Sequence, residues 1–329
     1  MILFNVKEHV KYNMFVLTHS LPQSVDPIKC TIAFFTLSSL DVLDMMDSIE
    51  EKKEHYINWI YRFQIEDENV GGFKNDQCFE NDIAKCAHIA GTYSALNNLL
   101  ILGDDFKRVD RVSIIKSLRQ LQLDDGSFIG SKKGTENDMR FVYCAACICY
   151  ILNDWSGMDV EKAVDYILKS ISYDGAIAQG PELESHGGST YCAVATLFLT
   201  KNLDRLSSKQ RDNLIRWVVN RQLEGFQGRP NKMWDSCYTF WLGATLKMLD
   251  AYEYIDQERL ENFVLSTQCY RSGGFGKNSS SDADPMHTYL ALSGLSLLKT
   301  HKCNEVMPAL NITYRAYDHL QNVHEAWRG

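Results

Sequence analysis

Gln222-Leu223-Glu224-Gly225-Phe226 is the stretch on which the fold turns, because its pattern recurs along the chain. A glutamine leads into a short glycine–aromatic turn at Gln64 to Gly72-Phe73, at Gln122 to Gly126-Ser127-Phe128, and at Gln268 to Gly274-Phe275. Ser172-Tyr173-Asp174-Gly175-Ala176 is a degenerate copy between them. The closing positions 73, 128, 176, 226 and 275 lie 55, 48, 50 and 49 residues apart. A tyrosine near the start of the apolar run after each turn (Tyr93, Tyr143, Tyr191, Tyr238, Tyr289) is spaced by 50, 48, 47 and 51 residues. Two independent marks with one period describe one repeated unit.

Each unit reads as an amphipathic outer helix, a glycine turn and an inner helix. Val112–Leu123 and Arg211–Leu223 are of the outer kind. Phe141–Leu152, Thr190–Leu199, Cys237–Leu249 and Met286–Leu298 are apolar on nearly all faces, as buried helices are. Such a hairpin cannot bury its apolar face alone and must stack on its neighbours. Five copies and a divergent one around Thr31–Ile49 give six hairpins in one domain spanning 1–329. The expected fold is all-α, an α/α barrel whose inner helices line a cavity. An open solenoid of the same units is the alternative topology.

Composition narrows the setting. The 329 residues are 45% hydrophobic, enough for a large core, and the net charge is −8 with no long basic run, so nucleic acid is not an expected partner. Ten scattered cysteines, several inside apolar helical runs (Cys144, Cys147, Cys149, Cys192), read as reduced core residues rather than a disulfide framework. The start, MILFNVKEHVKYN, is a poor signal peptide, and no run approaches the ~18 apolar residues of a membrane span. A cytoplasmic protein is expected.

The repeat places chemistry at the inner-helix starts. With Tyr238 and Tyr289 taken as equivalent, Asp235, Cys237 and His287 fall in the first turns of two adjacent inner helices. A carboxylate, a thiolate and an imidazole converging at a cavity rim form a three-ligand zinc set with an open fourth position, the catalytic arrangement. Taken singly, each has a plainer reading: a helix cap, a buried cysteine, a satisfied histidine. Arg229 and Lys232 lead into this set and His186 precedes Gly187-Gly188 one repeat earlier, so an anionic, phosphate-like substrate group is expected there. Tyr93, Tyr143, Tyr191 and Trp241 could line a deep apolar pocket or simply be core.

These residues resemble the β subunits of protein prenyltransferases, from Thr31 to Trp327. The resemblance is carried by Asp138-Met139-Arg140-Phe141-Val142-Tyr143-Cys144-Ala145, by Ser185-His186-Gly187-Gly188-Ser189-Thr190-Tyr191-Cys192, and by Gly228-Arg229-Pro230-Asn231-Lys232 through Asp235-Ser236-Cys237-Tyr238. It implies an α/α barrel paired with a separate helical α subunit, and prenyl transfer from an isoprenoid diphosphate to the cysteine of a C-terminal C-a-a-X sequence. It implies one Zn²⁺ on Asp235, Cys237 and His287, activating the substrate thiol. By the same resemblance His186, Arg229, Lys232 and Tyr238 hold the diphosphate. Thr31, Arg140, Tyr143, Gly188, Cys192 and Trp241 line the isoprenoid pocket, and His88, Ala90, Phe141 and Met286 read the terminal X residue.

Two positions point within the family to the type I geranylgeranyl branch. Thr31 stands where farnesyl enzymes carry a tryptophan, leaving room for one more isoprene unit, and five more buried carbons are worth up to about 4 kcal/mol. Lys277 stands where magnesium-assisted members carry an aspartate, so its ammonium replaces Mg²⁺ on the leaving diphosphate and Mg²⁺ is not required. His186, Tyr238 and Lys277 are then the catalytic residues, geranylgeranyl diphosphate the donor, and C-a-a-X proteins with X of Leu or Phe, such as Rho-type small GTPases, the acceptors. The farnesyl and Rab branches, and a silent scaffold binding lipidated tails, are the competing readings.

Overall fold

The computed structural model describes residues 3–19, 28–65, 71–74, 87–134 and 136–328. Its helices pair in chain order: α1 (Val6–Thr18) with α2 (Lys29–Val42), α3 (Lys53–Tyr61) with α4 (Ile89–Ile101), and α5 (Arg111–Arg119) with α6 (Met139–Ile151). Then come α7 (Val160–Lys169) with α8 (Gly187–Leu199), α9 (Ser208–Val219) with α10 (Cys237–Met248), and α11 (Gln257–Ser266) with α12 (Pro285–Leu298). The even-numbered helices pack side by side in sequence, and α12 returns to pack on α2. The six hairpins close into an α/α toroid; the solenoid alternative falls. Every inner helix is buried along most of its length.

The repeated glutamine holds neighbouring hairpins together. The Gln122 amide donates to the Asp159 carbonyl and accepts from the Asp159 N–H, at the N-cap of the next outer helix. Gln222 does the same to Asp256, and Gln64 grips Arg108 and Asp110. Gln268 completes the circle: it accepts from the N–H of Asn5, the cap of α1, and donates to Leu3. The glycines follow the same logic. A Cβ on Gly126, whose φ is +95°, would sit 2.0 Å from the Lys162 carbonyl, and one on Gly273 (φ +74°) 2.0 Å from that of Glu8, so each outer helix docks directly on the preceding turn.

Two expectations need correction. The divergent hairpin is α1 with α2, its outer helix lying before Thr31 and not after it; residues Met46–Lys52 are a 3₁₀ turn. The tyrosine mark also slips at one repeat. Phe240, not Tyr238, is equivalent to Tyr191 and Tyr289, because each follows a threonine (Thr239, Thr190, Thr288). In the two tyrosine repeats that threonine hydroxyl accepts the N–H of Ile177 or Phe275 in the glycine turn. With Phe240 restored, one ring per inner helix forms a girdle: Phe34, Tyr93, Tyr143, Tyr191, Phe240 and Tyr289. Successive centroids are 5.4–5.7 Å apart from Phe34 round to Phe240, and Tyr289 meets Phe34 at 5.5 Å.

The end of the toroid opposite the glycine turns is closed by the C-terminal segment. A short hairpin, β1 (Val306–Met307) and β2 (Ile312–Thr313), enters the ring and leads into α13 (Tyr314–Ala326). From α13, Arg315 donates to the last carbonyl of α4 (Ile101) and His324 to that of α6 (Ile151), satisfying acceptors the inner helices leave bare. Among the described residues no helix is long and apolar enough to cross a membrane, and eight cysteines are free thiols.

Candidate metal centre at the barrel mouth

Counting each inner helix from its capping residue makes the mouth regular. His88, Asp138, His186, Asp235 and Asp284 occupy one position, and each side chain accepts a backbone N–H of the first turn. Two residues on come Ala90, Arg140, Gly188, Cys237 and Met286; three on come Phe141, Tyr238 and His287. These positions lie at the helix N-termini around the opening, so the predicted peptide, diphosphate and metal residues share one rim.

The ligand atoms of Asp235, Cys237 and His287 lie within 4.8 Å of one another. Asp235 and Cys237 are buried, and the His287 side chain is 12% exposed. His287 Nε2 is 3.2 Å from Asp235 Oδ1, while its Nδ1 is held by Asp284 Oδ2 at 2.5 Å. Burial opposes an imidazolium here, but hydrogen bonds to Asp235 and Asp284, with their charges, outweigh it and raise the pKa to about 9. Burial likewise works against the Asp235 carboxylate, yet hydrogen bonds from His287 and Cys237 hold its pKa below the usual range. Burial and the adjacent Asp235 push the Cys237 thiol well up. The pocket thus keeps a proton between two carboxylates, where a divalent cation on Nε2, Sγ and Oδ would replace it. The donor set and the backing of Nδ1 by Asp284 both fit zinc.

Lys277 reaches the same centre from the next repeat. Ser236 donates its N–H to the Lys277 carbonyl and its hydroxyl to that of Gly276, pinning that turn to the start of α10. The half-exposed ammonium then lies 3.9 Å from Asp235 Oδ2.

His186 and Tyr238 form a second pair, with Nε2 and the hydroxyl 3.1 Å apart. Nδ1 of His186 accepts the N–H groups of Gly188 and Ser189, and burial, then the charge of Arg229, lowers its pKa. The ring is therefore neutral, with its proton on Nε2 aimed at Tyr238. Tyr238 is wedged against glycine: a Cβ on Gly228 would sit 2.1 Å from its ring. Arg229 is 2.7 Å from Glu184, and Lys232 is exposed in the same loop.

The other expected residues lie at several places in the toroid. Trp241 stacks edge-on against Tyr238 at 5.2 Å, close to Gly188, with Cys192 one repeat away on α8. Thr31 Oγ1 bonds Ser94 Oγ at 3.1 Å between α2 and α4, and Tyr143 belongs to the girdle. Arg140 is paired with Asp138 and Glu136 at the rim. His88 and Phe141 meet edge-on at 5.8 Å, and Met286 directly precedes His287. Sequence reasoning missed Asp284 as the partner of His287; the cap-and-proline start of α12, Asp284-Pro285, was the available signal.

The fold and this rim define a prenyltransferase toroid: the family model described as the prenyltransferase alpha-alpha toroid domain matches residues 4–312, and the chain belongs to that family. Its relatives include the geranylgeranyl transferase type-1 subunit beta of Dictyostelium discoideum, 38% identical over 88% of this chain and 89% of that one. The subunit of the same name from Arabidopsis thaliana is 37% identical over 94% of this chain and 89% of its own. Among solved structures, Candida albicans protein geranylgeranyltransferase-I complexed with GGPP superposes with a TM-score of 0.90 at 28% identity, covering 97% of this chain and 99% of that one.

Proposed function

We propose that this chain is the β subunit of a cytoplasmic type I protein geranylgeranyltransferase, working as a heterodimer with a helical α subunit. It transfers geranylgeranyl from the diphosphate to the cysteine thiol of proteins ending in C-a-a-X, with X of Leu or Phe, Rho-type small GTPases among them. The observation that carries this reading is the cluster of Asp235, Cys237 and His287 beside the His186–Tyr238 pair at the mouth of an aromatic-lined toroid.

Zinc held by the three ligands would supply the peptide sulfur as a thiolate at neutral pH. Asp284 fixes the tautomer of His287 so that Nε2 faces the metal position. His186 directs its Nε2 proton at the Tyr238 oxygen, which leaves the Tyr238 hydroxyl hydrogen free to donate to the leaving diphosphate. Arg229, Lys232 and Lys277 add positive charge around that group, and Lys277 serves in place of Mg²⁺. Thr31, Gly188, Cys192 and Trp241 hold the isoprenoid; His88, Ala90, Phe141 and Met286 give the X residue an apolar seat. Exposed Tyr173, Leu183, Leu223, Met233 and Tyr270 in the turns at the mouth form an apolar rim suited to a partner subunit.

The test is co-expression with a prenyltransferase α subunit, metal analysis, and turnover of the farnesyl and geranylgeranyl diphosphates against C-a-a-L and C-a-a-S peptides. One zinc per heterodimer and preference for geranylgeranyl with C-a-a-L are expected. A heterodimer without stoichiometric zinc, or one indifferent to Cys237→Ser, would instead be a scaffold for lipidated tails.

A further inference from the structure

We infer that the turn Pro308–Asn311 is the floor of the isoprenoid pocket and, with Thr31, sets the longest chain the pocket accepts; this rests on the prenyl-transfer reading above. The turn is bonded to the aromatic girdle from below. Tyr143 donates to the Ala309 carbonyl at 3.1 Å, Tyr191 to that of Pro308 at 2.9 Å, and Tyr289 to that of Asn311 at 2.5 Å. Three inner helices thus grip three of the four backbone carbonyls of one turn.

The layer beneath the girdle explains how the turn fits. Four residues deeper on the same helix faces come Ser38, Asn97, Cys147, Ala195, Ala244 and Ser293, all buried and none larger than asparagine. Those side chains leave a central space, and the fully buried Ala309 and Leu310 occupy it. The hairpin is anchored from outside too, since Asp41 accepts from both Thr313 and Arg315 at 2.6 Å. A flexible side chain at the end of a pocket yields to a longer ligand, but a backbone turn fixed at both ends does not. A linear isoprenoid entering past Trp241 and Cys192 therefore meets a stop whose height the three hydroxyls define.

The experiment uses the heterodimer and three donors: the diphosphates of the 15-, 20- and 25-carbon isoprenoids. Ala309→Leu raises the floor and should move the kcat/KM ratio toward the 15-carbon donor by about tenfold or more, the range that one or more methylenes command in an apolar pocket. The double variant Tyr191→Phe with Tyr289→Phe loosens the floor and should raise 25-carbon use relative to 20-carbon use about tenfold. Thermal melts report whether each variant folds; if Ala309→Leu does not, the tyrosine pair carries the test. Length ratios within about twofold of the unaltered protein would overturn the inference. If the unaltered heterodimer turns over no donor, the prenyl-transfer reading fails by itself. Competition binding of the three diphosphates still reports the floor, and binding absent or unchanged in rank between variants overturns it.

Discussion

On the zinc reading, Asp284→Ala separates the metal site from the helix that carries it. Asp284 does two jobs. Oδ2 accepts from His287 Nδ1, and Oδ1 accepts the His287 N–H at 2.9 Å as the N-cap of α12. Losing the cap costs about 1 kcal/mol of stability. Losing the partner of a ligating histidine costs ~10- to 100-fold in metal affinity, about 1.4–2.8 kcal/mol. The variant should therefore fold, melt a few degrees lower and bind zinc at least about tenfold more weakly. Asp284→Asn keeps one oxygen, enough to cap the helix, but turns an NH2 donor toward His287 Nδ1, so its helix cap should survive while its zinc affinity falls about as far as that of Asp284→Ala. Titration of the metal-free heterodimer against a chromophoric chelator gives the affinity, and a thermal melt without metal reads the cap together with the Asp284–His287 pair. If Asp284→Ala held zinc within about twofold of the unaltered protein, the role given to Asp284 would be wrong.

Lys277→Asp should make turnover depend on Mg²⁺, with a loss of ~100-fold without it, the size of removing one preorganised charge-stabilising group; equal rates with and without chelator would refute this. Thr31→Trp should favour farnesyl over geranylgeranyl diphosphate, by at most about 4 kcal/mol for five carbons, read as a kcat/KM ratio. His9 makes a pH prediction at the seam between α1 and the last repeat. Its Nδ1 accepts the Gly274 N–H, its Nε2 is 3.0 Å from Gln268 Oε1, and burial lowers its pKa from 6.5 to about 4. The folded state needs the neutral ring, so this stability is full above pH 6.5 and drains away as pH falls toward 4, ~3 kcal/mol in all. Amide exchange of α1 at pH 7 and pH 4.5 measures it, and His9→Gln should flatten the difference.

Much of this was legible in the chain because the fold repeats. The spacing of Gln222-to-Phe226 and its copies gave six hairpins, and the clustering of Asp235, Cys237 and His287 followed from placing them on adjacent helix starts. The tyrosine mark slipped at Tyr238 because an aromatic residue is common near a buried helix start; the threonine that precedes four of the six girdle rings (Thr92, Thr190, Thr239 and Thr288) was the better guide. Asp284 hid behind its ordinary look as a helix cap. The 306–313 hairpin left no periodic trace, since two-residue strands carry no pattern. In the sequence the glutamines only mark the turns; the grip of their amides on the next repeat is visible in the structure alone.

That grip fixes a number. A linear stack of repeats tolerates one more or one fewer unit, because each touches only its neighbours. Here Gln268 must meet Asn5 and Leu3, some 260 residues upstream, and the Gly273 turn must seat on Glu8. Duplicating or deleting one hairpin would leave those partners facing a gap or a clash. The width of the central chamber is therefore quantised, and variation in what it holds must come from side chains and plugs inside a circle whose circumference cannot change.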